Sequence, residues 1–119
     1  LTLEEEVRQR FLHYMIEHKF YSPSLLAVEY SLRVNNLKRR ADIIAFNSFG
    51  HPILMVECKA PSVKINQKVF DQIARYNLSM RVDYLVVTNG LEHFCCQMDF
   101  EKQQYYFLEN IPEYKTIIH

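Results

Sequence analysis

Apolar and polar positions along the 119-residue chain change period several times, and each change marks an element. Val7, Phe11, Tyr14, Met15 and His18 recur at helical spacing, so roughly residues 3–19 are expected to form an amphipathic helix. Thr2 stands at its N-cap with Glu5 as capping-box partner, and Glu4, Glu5 and Glu6 favour the positive helix end. Pro23 forbids continuation, and residues 25–32 read as a helical turn passing into a strand with Val28, Tyr30 and Leu32. Asn35-Asn36 is a turn candidate, and the basic run Lys38, Arg39 and Arg40 follows it.

Residues 41–46 read as a buried strand with one acid, Asp42, near its start. After a loop at 47–52 comes the apolar strand 53–59, which ends on Glu57 and Lys59. Alternation puts Met55, Glu57 and Lys59 on one face and Leu54, Val56 and Cys58 on the other. A strand buried on both faces normally stays apolar, and this one breaks the rule twice in its last three residues. The plainer reading of that end is a fraying strand with a surface ion pair. From about 66 to 80 a second helix is expected, with Val69, Ile73, Tyr76 and Met80 on one face. A buried strand at 83–88, a tight turn at Asn89-Gly90 and strands at 92–98 and 104–108 complete the chain. Tyr105, Phe107 and Ile111 are expected to pack the last of the core. The helix between 53–59 and 83–88 is a right-handed crossover that makes those strands parallel. The product is a mixed sheet with helices packed on it.

Composition narrows the class. The length suits a single domain over 1–119, and 49% apolar with 24% charged residues is a globular balance without a disorder signature. Fourteen basic residues against fourteen acidic ones exclude a bulk cationic DNA coat, though not a local basic patch. No apolar run approaches the ~20 residues of a membrane span, and the acidic start carries no secretory signal. Cys58, Cys95 and Cys96 make neither a disulfide framework nor a zinc spacing, which points to a reducing cytoplasm. The start at Leu1 rather than Met points to a trimmed chain or to a piece of a longer one.

The candidate chemistry lies on the 41–46 and 53–59 strands. A hairpin symmetric about residues 49–50 places Asp42 opposite Glu57, at roughly 4.5–5.5 Å between Cα atoms. Two carboxylates so placed repel each other unless a divalent cation sits between them. Mg²⁺ suits the pair, because it takes one or two carboxylates and completes its octahedron with waters and phosphate oxygens. Lys59 lies about 7 Å further along at ~3.3 Å per residue, where it could hold a water or stabilise charge on a phosphate. The Cys58 carbonyl between them could be a further ligand, while its thiol faces the core.

Arg40-Ala-Asp42, fifteen residues before Glu57-Cys-Lys59, resembles the PD-(D/E)xK nuclease pattern. Val56-Glu-Cys-Lys-Ala-Pro-Ser62, Phe70-Asp-Gln-Ile-Ala-Arg-Tyr-Asn77 and Leu85-Val-Val-Thr-Asn-Gly90 are similar to the N-terminal nuclease domain of type I restriction enzyme R subunits. The likeness runs from Glu5 to Ile111-Pro112. It implies an α/β, restriction-endonuclease-like mixed β-sheet flanked by helices, and Mg²⁺-dependent (or Mn²⁺-dependent) hydrolysis of DNA without a covalent intermediate. By resemblance the catalytic residues are Asp42, Glu57, Lys59, Gln72 and Tyr76, and the metal ligands are Asp42, Glu57 and Cys58. Residues 72 and 76 stand one helical turn apart and face one way; core packing is the plainer role for Tyr76. Ala41 stands where the family name expects proline. Related nucleases often add an acid from the first helix, for which Glu5 or Glu6 is the candidate, and Glu29, on the strand before the basic run, is a comparable outside candidate.

The resemblance also implies partners: DNA, other restriction-modification subunits, or a motor domain in a longer chain. No Gly-x-x-x-x-Gly-Lys-Ser/Thr loop is present, so these residues hold no motor. Lys38, Arg39, Arg40, Lys64 and Lys68 would contact phosphates if they ring the site, and otherwise are solvated. His13, His18, His51, His93 and His119 have no ligand spacing and read as structural or solvated. Two other classes compete: a binding module that keeps the fold but cuts weakly or not at all, and a purely structural domain.

Overall fold

The computed structural model describes residues 2–34 and 36–118, apart from the side chains of Leu32, Val34, Leu37, Arg39 and Ser79. Helix α1 spans Leu3–His18 and starts where Thr2 Oγ1 accepts the Glu5 N–H at 3.1 Å. It buries Val7, Phe11 and Met15 and half-buries Tyr14; His18, expected on this stripe, is exposed at the last turn. A short 3₁₀ turn at Pro23–Leu25 leads into β1, Leu26–Val34, as the mixed turn-and-strand pattern indicates.

Strand β2 runs Leu37–Phe46 and therefore begins four residues before the apolar run. The basic residues are part of the strand rather than a loop before it, because β1 pairs with them at the polar end of a long hairpin, for example Ser31 with Arg40. The turn at Asn35-Asn36 lies partly outside the described residues; Asn36 itself has φ 66°. Strand β3, Pro52–Cys58, follows a loop in which Asn47 Oδ1 accepts the Phe49 and His51 N–H groups at 2.9 and 3.0 Å. Gly50 supplies the positive φ of that turn, at 83°.

Helix α2, Gln67–Asn77, is capped by Asn66, whose Oδ1 accepts the Val69 N–H at 2.9 Å. Its buried face is Phe70, Ala74 and Asn77, with Val69 and Ile73 beside it, so the stripe is turned by about one residue from the expected one. Phe70 decides the phase: its ring packs 4.8 Å from that of Phe107. Tyr76 is thereby turned out, 45% exposed, which removes its core-packing role.

Strands β4 (Tyr84–Thr88), β5 (His93–Asp99) and β6 (Gln104–Leu108) finish one six-stranded sheet in the order β1-β2-β3-β4-β5-β6. β3 and β4 are parallel and every other neighbouring pair is antiparallel, the mixed sheet expected from the crossover. A last turn of helix, α3 (Tyr114–Ile117), has no sequence signal; Tyr114 docks it by donating to the Lys19 and Phe46 carbonyls at 3.0 and 3.1 Å. Ile111 is buried as expected and Tyr105 partly so, but Phe107 is half exposed.

The sheet separates two cores. On one side Val7, Phe11 and Met15 of α1 cover Ile43, Leu54, Val56 and Cys58. On the other, Phe70 and Ala74 of α2 cover Ala41, Ile44, Met55 and Leu85. All three cysteines are free and buried, and no helix among the described residues is long and apolar enough to cross a membrane.

Candidate functional site

The register of β2 on β3 runs Ile43 to Val56, Ile44 to Met55 and Ala45 to Leu54, and continuing it one step puts Asp42 opposite Glu57. The ladder then stops. Asp42 Oδ2 accepts the Cys58 N–H at 2.7 Å, in place of the next main-chain partner. A strand residue points its N–H and its carbonyl to the same side, so the Cys58 carbonyl also faces Asp42. The Cys58 thiol is buried in the α1-side core, and burial with the two nearby carboxylates raises its pKa far above the ordinary thiol value. It is no candidate nucleophile.

Strict alternation expects Asp42 to share a face with Ile44 and Glu57, and the structure departs from it here. Ala41 packs in the α2-side core while Ile43 packs in the α1-side core, so alternation breaks at Asp42. On β1 the break is matched at Glu29, whose φ is 50°. The kink lets the Asp42 carboxylate bend along the sheet towards Cys58.

Lys59 lies one residue beyond β3, yet its N–H still reaches the Thr88 carbonyl at 2.8 Å, so its backbone is as fixed as the strand's. Its Nζ stands 4.0 Å from Glu57 Oε1, with both side chains partly shielded. Burial and the Asp42 carboxylate raise the Glu57 pKa to about 7, with Lys59 offsetting part of the shift and Glu4 adding to it. Glu57, Lys59, Gln72, Ile73, Tyr76 and Arg40 line one open hollow of about 420 Å³. Asp42 lines the adjoining hollow of about 440 Å³, beneath Glu4, Glu5 and Arg8 of α1 and beside Glu29. Arg40 belongs to both hollows.

The residues singled out in the sequence thus converge on one end of β3, with Asp42 one strand away. Glu5 borders the Asp42 hollow; Glu6 borders a separate apolar cleft of about 210 Å³ formed by α1 and the Asn89-Gly90 turn. Glu4, whose charge is felt by Glu57, is exposed and lines the same hollow as Asp42, a position the sequence pattern does not single out. It lies three positions, about one helical turn, before the buried Val7.

Of the basic residues, Lys38 and Arg40 are exposed on β2, Lys64 is exposed after β3, and Lys68 borders a third hollow with Asp71, Gln72 and Arg75. The side chain of Arg39 lies outside the described residues. His93 pairs its Nδ1 with the buried Thr88 hydroxyl at 2.6 Å, and its burial lowers its pKa. His13, His18 and His51 are exposed, and His119 lies outside the described residues.

Among the described residues, no three His, Cys, Asp or Glu side chains gather closely enough to hold a metal ion. A zinc-type centre therefore does not fit. Two carboxylates, a backbone carbonyl and solvent are the donor types that Mg²⁺ accepts. Burial first, and then the Asp42 carboxylate, raise the pKa of Glu57.

Residues 3–112 match the family described as the N terminus of the type I restriction enzyme R protein. No curated protein matches the chain. A solved structure, a fragment described as a candidate HsdR subunit of a type I restriction enzyme from Vibrio vulnificus, has the same fold, with a TM-score of 0.68 at 18% identity. The match covers 98% of this chain and 24% of that one.

Proposed function

The chain belongs to the family of type I restriction enzyme R protein N termini, and on that premise we propose that it is a metal-dependent endonuclease domain hydrolysing DNA phosphodiester bonds. One observation carries the reading. Glu57 and Lys59 leave the end of β3 into a hollow shared with Gln72 and Tyr76, and Asp42 stands in register with Glu57 on the next strand. This supports the PD-(D/E)xK reading over a frayed strand end.

Asp42, Glu57 and the Cys58 carbonyl are the groups that would hold Mg²⁺, or Mn²⁺ in its place. When bound, the ion supplies Lewis-acid polarisation of the phosphoryl oxygen and lowers the pKa of a water molecule. Lys59 carries the only ammonium group lining the hollow among the described residues, and from 4.0 Å beyond Glu57 it can place its charge on a phosphate oxygen or orient the attacking water. Gln72 offers amide donors and Tyr76 a hydroxyl, both on the exposed face of α2. Water is the nucleophile on this reading, and the Cys58 thiol is buried on the opposite face. The domain acts, on this reading, as one part of a larger restriction enzyme working on DNA.

Supercoiled plasmid incubated with the chain tests the proposal. Open-circular product should accumulate with Mg²⁺ or Mn²⁺ and be absent in EDTA. A plasmid unchanged under all these conditions would point to a binding module on the same fold.

A further inference from the structure

Strand β1 brings a single charged residue to this site, in a backbone conformation ordinary side chains avoid. Glu29 has φ 50°, well inside the left-handed region, in the middle of a strand. Its neighbours Val28 and Tyr30 pair with Ile43 and Ala41, so Glu29 stands in register with Asp42. Non-glycine residues held in this region cluster at ligand clamps and switch regions.

One oxygen of that carboxylate gathers two guanidinium groups. Glu29 Oε1 forms an ion pair with Arg8 of α1 at 2.9 Å and accepts a hydrogen bond from Arg40 of β2. Arg8 is largely enclosed, 15% exposed, whereas Arg40 is 61% exposed and reaches both the Asp42 hollow and the Glu57–Lys59 hollow. Two arginines converging on one anionic oxygen, at the rim of a site rich in carboxylates, make a site for an oxyanion. A phosphodiester offers the same charge and two such oxygens in a geometry that guanidinium groups match.

We propose that Arg8 and Arg40 form a binding site for a DNA backbone phosphate, and that Glu29 occupies it as an internal phosphate mimic until DNA displaces the carboxylate. The inference rests on the domain being a DNA-acting nuclease, but its readout does not require cutting. In the free protein, Glu29 holds Arg40 at the junction of the two hollows. When a phosphate takes its place, Arg40 is anchored beside Asp42, and the strand backbone at Glu29 is released from its contact.

Binding of a fluorescent duplex by anisotropy, with Ca²⁺ replacing Mg²⁺, tests the proposal through a double-mutant cycle. Glu29→Gln is expected to tighten binding about 10-fold in the wild-type background and less than about 2-fold in Arg40→Ala. Glu29→Gly, which tolerates the positive φ, should reproduce the tightening and serves where the Gln variant folds poorly. Equal tightening in both backgrounds would mean that Glu29 merely repels DNA, and would overturn the proposal. Weaker binding by Glu29→Gly, or no binding by wild type, would also overturn it. Coupling without plasmid cleavage would sink the nuclease reading and leave the phosphate site standing; cleavage without coupling would do the reverse.

Discussion

Asp42 Oδ2 accepts the Cys58 backbone N–H at 2.7 Å, so the acid of β2 is tied to the main chain of β3 just where the ladder ends. The bond sets the carboxylate beside the Cys58 carbonyl and at the level of Glu57. It also separates the structural role of Asp42 from its charge.

Asp42→Asn keeps an oxygen for that N–H, and Asp42→Ala does not. The alanine variant leaves a part-buried donor unpaired, at a cost of about 1–3 kcal/mol. Urea unfolding should therefore find Asp42→Ala less stable than Asp42→Asn by that margin. Equal midpoints would show that the bond contributes nothing.

Glu57 gives the metal-free protein an inverted pH dependence. Its folded pKa of about 7 lies above the ordinary 4.5, so between these values the folded state keeps a proton that the unfolded state has lost. Stability from this group is full below the lower value, falls as pH rises, and is gone above the higher one. The loss from pH 5 to pH 8 is on the order of 2 kcal/mol, allowing for partial exposure. In EDTA, thermal or urea unfolding of Glu57→Gln should lack this decline, and adding Mg²⁺ at pH 8 should raise the Tm of wild type but not of the variant. Parallel pH profiles for the two proteins would contradict the assignment.

Lys59→Met should leave the fold intact, because the Lys59 N–H to Thr88 carbonyl bond belongs to the backbone. Calorimetric titration should show Mg²⁺ binding retained or tightened, since the substitution removes a cation 4.0 Å from Glu57. A large loss of Mg²⁺ affinity would place the lysine in a different role.

On α2 the two faces predict opposite behaviour. Phe70 is buried and its replacement by alanine should cost about 3–5 kcal/mol. Gln72→Ala and Tyr76→Phe alter exposed positions, so stability should stay within about 0.5 kcal/mol while cleavage falls roughly 10-fold. Unchanged cleavage rates in both would remove these residues from the site.

Much of this was legible in the sequence because apolar runs and turn residues carried it. The parallel β3–β4 pair, the β2–β3 hairpin and its register followed from run lengths and a midpoint. The kink at Asp42 does not, since a regular alternation of faces carries no sign of the point where Ala41 and Ile43 fall into different cores. The length of the β1–β2 hairpin was hidden because polar residues such as Arg40 pair in a strand without burying an apolar face. The phase of α2 differs by one residue from the spacing pattern, because spacing alone does not rank Phe70 above Val69. The pairing of Glu29 with Arg8 and Arg40 joins residues from three elements, and no local pattern signals it.

The most direct measurement is nicking of supercoiled plasmid by wild type, Asp42→Asn and Lys59→Met, each confirmed folded by circular dichroism. Wild type should nick in Mg²⁺ and stop in EDTA, and both variants should be slower by about 100-fold or more. Nicking by the variants at the wild-type rate, or none by the wild type, would contradict the account.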